Sequence, residues 1–130
     1  MSLNQDYIHN IIQVIPLGKV AYYGQISEIL EASHQIIMRG QIVGWTMSSM
    51  KRNPKYQNTN WQRVVAKTGQ IVTYKLGAIG NLQVSLLAQE GVDLVNDQID
   101  MKKHCVPIYQ LLNLYQESLS SLSSTSILID

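Results

Sequence analysis

Hydrophobic residues recur along this chain at helical spacing, and proline, glycine and polar clusters cut that pattern into short pieces. Residues 5–15, QDYIHNIIQVI, place Tyr7, Ile8, Ile11, Ile12 and Ile15 on one stripe, which predicts an amphipathic helix. Pro16-Leu17-Gly18 closes it, because proline removes a backbone donor and glycine permits the turn. KVAYYG is a short extended segment. QISEILEAS then spaces Ile26, Ile29 and Leu30 for a second helix. After a polar break around Ala32-Ser33-His34, a third helix is expected over roughly 37–50, with Ile42, Val43, Met47 and Met50 on one face. Two helices joined by a short break resemble a helix-turn-helix.

KRNPKYQNTN is a loop by composition. QRVVA and QIVTY read as two short strands around a Thr68-Gly69 turn, a wing-like hairpin. A further helix is expected at about 81–90, closed by Gly91, and another in VPIYQLLNLYQESL, with SSLSSTSILID as a frayed serine-rich tail. The expected architecture is mainly α with a small β-hairpin, a winged helix-turn-helix-like unit. It divides into a main domain over 1–105 and a C-terminal helical extension with its tail over 106–130.

Composition narrows the function. At 130 residues the chain can bury one real core. Its apolar runs are too short to span a bilayer, and MSLNQDYIHN lacks the features of a secretory signal, so an intracellular protein without a membrane partner is expected. A single cysteine, Cys105, forms no internal disulfide and fits a reducing compartment. With only a neighbouring His104 it makes no metal site, and no cofactor is expected. The net charge of +1 hides an asymmetry. Residues 10–89 carry eight basic residues against Glu28 and Glu31, a net +6, while the rest of the chain carries −5. A basic segment of that kind suits a polyanion-binding face, and solvated surface lysines are the alternative.

Four blocks then stand in order: IPLGKVAYYGQI, RGQIVGWTM, NPKYQNTNWQRVVAKTG and LLAQEGV. Together they resemble the DNA-binding domain of the O6-alkylguanine-DNA alkyltransferases, over about residues 8–95. That family's pattern runs I-P-x-G-x-V-x-T-Y-G-x-I, R-x-V-G, N-P-(x5)-P-C-H-R-V and L-L-x-x-E-G. In the active enzymes the P-C-H-R-V cysteine accepts the alkyl group, activated through the histidine and the glutamate as a thiolate. Here the cysteine position holds Trp61, the histidine position Gln62, the glutamate position Glu90, and Asn60 replaces the proline. An indole cannot displace an alkyl group and Gln62 does not titrate. An active transferase would need a thiol at position 61. Tryptophan in place of the cysteine marks the alkyltransferase-like proteins, which bind alkylated DNA without repairing it.

The resemblance implies further roles. Tyr23 matches the tyrosine that crowds the phosphate 3′ to the target base, with core packing as the alternative. The intercalating arginine falls at Gln41, two residues before Val43, with Arg39 two residues earlier. Either Arg39 takes the role through a small shift or Gln41 does a weaker version; a cation suits the minor groove better, so Arg39 is preferred. Asn53 braces the loop and Arg63 is structural. Trp61 and Gln62 line the pocket floor, with Glu90 behind. Tyr74 and Lys75 fall where the family has a lid. Lys51, Arg52 and Lys55 contact phosphates or stand solvated. The loop from Gly44 to Trp61 is about three residues longer than the pattern.

The implied function is a non-enzymatic reader. It would bind duplex DNA in the minor groove, flip O6-alkylguanine into a pocket lined by Trp61, and mark it for nucleotide excision repair. Expected partners are lesion-containing double-stranded DNA and nucleotide excision repair proteins, the protein acting as a monomer in the cytoplasm and nucleoid of a bacterium or the nucleus of a eukaryote. The alternative is a DNA-binding or protein-interaction module that kept the fold and lost lesion recognition.

Overall fold

The computed structural model describes residues 2–71 and 78–129. Helix α1 (Ser2–Gln13) leads through the Pro16–Gly18 turn to β1 (Ala21–Tyr22) and directly into α2 (Tyr23–His34). Helix α3 (Gly40–Met50) follows, then two 3-10 turns (Pro54–Tyr56 and Trp61–Arg63), and β2 (Val64–Val65). The chain continues as α4 (Ala78–Gln89), β3 (Leu94–Val95), β4 (Gln98–Ile99), α5 (Met101–His104) and α6 (Ile108–Ile129). The mainly helical fold with small sheets is the one the sequence predicts.

Helices α1, α2 and α3 bury the faces that the periodicity marks, except that Ile42 of α3, expected on the apolar face, is exposed. Ile8, Ile11, Ile12 and Ile15 meet Ile26, Ile29, Leu30, Val43, Met47 and Met50 in one core. Helix α6 joins the same core through Leu111 and Tyr115, both fully buried. A smaller core gathers Val20, Val65, Ile71, Leu87, Val92 and Ile99. The parallel pair β1–β2, in the register Ala21↔Val64 and Tyr22↔Val65, runs between the two. Alternation along a strand explains the sharing: Val64 points into the helical core and Val65 into the smaller one.

Helices α2 and α3 are joined by a tight turn. Gln35 takes the left-handed conformation (φ 56°), its N–H donating to the Glu31 carbonyl while Ile36 N–H donates to Leu30, which closes α2 without a glycine. The Ser27 hydroxyl donates to the Met38 carbonyl and fixes the approach to α3. Gly40 and Gly44 let α3 lie close to Tyr23. A Cβ at Gly40 would stand 3.4 Å from the Tyr23 Cβ, and one at Gly44 would stand 3.6 Å from the Tyr23 ring.

Two expectations need correction. The wing hairpin is not the pairing of Val64–Val65, whose partner is β1. The turn itself is present, with Gly69 N–H donating to Ala66 O, but residues 72–77 of the second strand lie outside the described residues. An antiparallel hairpin forms instead between β3 and β4, in the register Leu94↔Ile99. Its two turn residues, Asn96 and Asp97, both take positive φ (54° and 64°), which asparagine and aspartate tolerate and which matches strand twist. The serine-rich end is not a frayed coil, since α6 continues to Ile129. No proline or glycine follows Pro107, and once Leu111 and Tyr115 dock the helix, each added residue propagates it.

Candidate nucleic-acid interface

The β1–β2 ladder brings the start of α2 beside the segment that follows Trp61. The result is an open groove of about 790 Å³ between α2, α3 and residues 66–67. Tyr22, Tyr23, Gln41, Gly44, Trp45, Lys51 and Lys67 are on its walls. Tyr23 is half-buried against the helical core, and burial pushes its phenol pKa up. Gln41 and Arg39 are both exposed at the start of α3, Arg39 as its N-cap residue. Of the two, Gln41 lines the groove and Arg39 does not.

A second, smaller cavity of about 200 Å³ opens beside Trp61. Ile12, Met47, Met50, Tyr56 and Leu82 give it an apolar lining, with Thr59 and Gln57 at its polar side. Met47 and Lys51 belong to the walls of both spaces, so the cavity adjoins the groove across α3. The Lys51 Nζ stands 4.2 Å from the Trp61 ring centroid, a cation–π contact. Burial lowers the Lys51 pKa.

Behind Trp61 the next two residues turn away from the cavity. Gln62 is buried, and its Nε2 donates to Glu90 Oε2 at 2.8 Å. Arg63 donates from Nε to Glu90 Oε1 at 2.8 Å and from Nη2 to Oε2 at 3.2 Å, while Nη1 donates to the Ile15 carbonyl at 2.8 Å. Glu90 therefore accepts from three N–H groups, and neither Gln62 nor Glu90 lines the cavity with Trp61. Gln83, a buried residue the sequence reading passed over, donates to the carbonyls of Gln62 (3.1 Å) and Val64 (3.2 Å). Its signal was an amide on the inward face of α4, where an apolar residue would be usual.

The loop before Trp61 is held locally. Asn53 Oδ1 accepts from Lys55 N–H at 2.9 Å and starts the 3-10 turn at Pro54. Gln13 links α1 to this loop, donating to the Asn58 carbonyl and accepting from Asn60 N–H. His9 Nδ1 stands 2.5 Å from the Thr59 hydroxyl. Of the three loop cations, Lys55 pairs with Asp6 at 2.9 Å, Lys51 lies over Trp61, and Arg52 is exposed with no ion pair among the described residues. Tyr74 and Lys75 lie outside the described residues.

Cys105 lines neither space. It bridges Val20 in the strand direction, its thiol faces Gln25 Oε1 at 3.5 Å, and burial pushes its pKa up. Gln25, buried and fully engaged, also accepts from Tyr22 N–H and donates to the Val106 carbonyl, tying β1 to the C-terminal part. Among the described residues no three His, Cys, Asp or Glu side chains gather as a metal site, and no helix is long and apolar enough to cross a membrane.

Residues 4–92 match the family described as 6-O-methylguanine DNA methyltransferase, DNA binding domain. The chain belongs to this family. The matched stretch contains all the residues that line the groove and the Trp61 cavity. No curated protein sequence matches the chain. Among solved structures, S. pombe Atl1, crystallised in complex with damaged DNA containing O6-carboxymethylguanine, has the same fold. It is 21% identical, with a TM-score of 0.59, over 82% of this chain and 99% of Atl1.

Proposed function

We propose that this protein is a non-enzymatic reader of O6-alkylguanine in duplex DNA. The observation that carries the reading is the chemistry around position 61. A tryptophan lines the cavity where the family pattern has its nucleophile, and the chain's single thiol is elsewhere, facing Gln25. The carboxylate that would drive a proton relay is held by Arg63 and Gln62, neither of which can pass a proton at neutral pH. Transfer has no acceptor and no base; binding keeps its pocket.

In this mechanism α3 enters the minor groove, Tyr23 crowds the backbone phosphate, and Arg39, with Gln41 as the weaker alternative, fills the space of the extruded base. O6-alkylation removes the N1 proton of guanine and weakens its pairing, so a damaged base costs less of the few kcal/mol that flipping requires. The flipped base packs against Trp61, and an aromatic contact of that kind contributes about 1–3 kcal/mol. Asn53 and Arg63 hold the loop, Arg52 and Lys55 provide phosphate contacts, and Tyr74 and Lys75 cover the base. Without transfer the complex is reversible, and the held lesion is a mark for nucleotide excision repair by an intracellular, monomeric protein. The fold shared with Atl1, whose complex contains lesion-bearing DNA, supports that partner.

Competition binding with paired duplexes tests the reading. The protein should bind a duplex containing O6-methylguanine more tightly than its undamaged twin and transfer no methyl group. Equal affinity for both would instead favour a general DNA-binding module that kept the fold.

A further inference from the structure

Lys51 occupies an unusual position. It caps the C-terminal end of α3, is half-buried, and forms part of the wall of both the groove and the Trp61 cavity. Its ammonium rests 4.2 Å from the Trp61 centroid, and among the described residues no acidic side chain lines the cavity. Among the described residues Lys51 forms no ion pair, although Lys55, in the 3-10 turn that follows, is paired with Asp6. Among the described residues Glu28 is the one acid on the groove wall, and it does not pair with Lys51.

A partly desolvated cation without a counter-ion is disfavoured in its charged form, and burial lowers the Lys51 pKa accordingly. A neutral alkyl arm entering the cavity would remove more water from that ammonium and return nothing. An arm ending in an oxyanion would return a charge-assisted hydrogen bond while its methylene packs on Trp61, Met47 and Met50. We propose that Lys51 makes the Trp61 cavity selective for O6-alkylguanines whose alkyl arm ends in a carboxylate, with Nζ pairing the carboxylate above the indole. This rests on the reading of the protein as a damage reader and specifies which damage it holds best. A backbone phosphate is the other oxyanion Lys51 could meet, and the two sources predict different behaviour.

Four duplexes distinguish them, identical except for one position holding guanine, O6-methylguanine, O6-carboxymethylguanine or O6-carbamoylmethylguanine, the last being the neutral amide of nearly the same size. Wild-type protein should prefer the carboxymethyl over the carbamoylmethyl duplex about tenfold, the low end of what a hydrogen bond to a charged group contributes. Lys51→Met, which keeps the apolar stem, should bring that ratio to about one and raise the O6-methylguanine to guanine ratio, because a neutral arm then desolvates no ammonium. Lys51→Arg should retain the preference, and it serves as the reference if Lys51→Met folds poorly. No carboxylate preference in the wild type, or an equal loss on all four duplexes in Lys51→Met, would overturn the proposal, the second result assigning Lys51 to phosphate. Failure to distinguish O6-methylguanine from guanine would overturn the damage-reader function itself, while the carboxymethyl to carbamoylmethyl ratio would still decide the role of Lys51.

Discussion

Arg63 and Glu90 form a two-point ion pair, Nε to Oε1 at 2.8 Å and Nη2 to Oε2 at 3.2 Å, with each side chain only about a tenth exposed (11% and 12%). The pair ties the turn after Trp61 to the end of α4, and Arg63 Nη1 extends the link to the Ile15 carbonyl. The residues that resemble the catalytic motif thus work here as a structural clamp. Removing one partner of such a pair leaves the other charge uncompensated. Glu90→Gln should therefore destabilise the protein by roughly 3 kcal/mol, the scale for a broken buried pair. Urea denaturation measures it; a loss under about 1 kcal/mol would mean the pair behaves as a solvated surface bridge.

Trp61→Ala tests the cavity. The side chain is half-buried against the helical core, so the variant loses some stability whatever its role in DNA binding. The informative quantity is the ratio of affinities for damaged and undamaged duplexes. That ratio should fall by about 1–3 kcal/mol, the contribution of one base–aromatic contact, with non-specific affinity changed less. An unchanged ratio would reduce Trp61 to a packing residue.

Stability should decline as the pH falls below neutrality. The His34 ring stacks on Tyr7 with centroids 3.6 Å apart, and its Nε2 is 2.7 Å from the Tyr115 hydroxyl, a phenol pushed up to about 12 by burial. Burial lowers the His34 pKa from its ordinary 6.5, and burial does the same to His9 against the opposing charge of Asp6. Folded-state values below the unfolded ones mean that the unfolded chain binds more protons between them. The contribution is complete above 6.5 and is lost as pH falls through the lowered folded values. Urea midpoints followed from about pH 8 to about pH 5 should drop, and His34→Gln should flatten part of the slope, leaving the share of His9. A pH-independent midpoint in the wild type would contradict this.

What the sequence made legible follows from which interactions are local. The stripes of α1, α2 and α3 appear at helical spacing because each helix buries one face, and Ile8, Ile26 and Val43 are all fully buried. The family was legible from the order of four blocks, all of which fall within the matched residues 4–92. The pairing of Val64–Val65 with Ala21–Tyr22 was not legible, because parallel partners 43 residues apart leave no turn signal between them. The β3–β4 hairpin was missed although Asn96-Asp97 is a turn signal, since its strands are two residues each and show no alternation to count. Sequence places Lys51 among loop cations that contact phosphates or stand solvated; its approach to Trp61 depends on how the end of α3 meets the 3-10 turn, which spacing alone does not specify.

Gly69 should not tolerate a side chain. Its φ of 89° lies in the left-handed region, and a Cβ there would collide with the Ile99 carbonyl, a backbone atom that cannot swing aside. Gly69 O also accepts from Ile99 N–H at 2.9 Å, so the turn after β2 and the β3–β4 hairpin hold each other. Gly69→Ala should cost roughly 2 kcal/mol, from positive-φ strain together with the displaced hairpin, again read by urea denaturation. A neutral result would show that this turn relaxes freely.

The proposed filling of an extruded base's place, by Arg39 or by Gln41, can be tested at the start of α3. Arg39 carries the charge that the minor groove attracts, and as the N-cap residue its backbone precedes the first helical turn. Gln41 is already on the groove wall but offers only an amide. If Arg39 inserts, Arg39→Ala should abolish most of the fluorescence rise of a base analogue placed at the flipped position, while Gln41→Ala should leave most of it. Both variants are exposed and should keep wild-type urea midpoints, so a change in signal reports on flipping and not on folding. The reverse pattern would transfer the role to Gln41, and loss in neither variant would remove both from the flipping step.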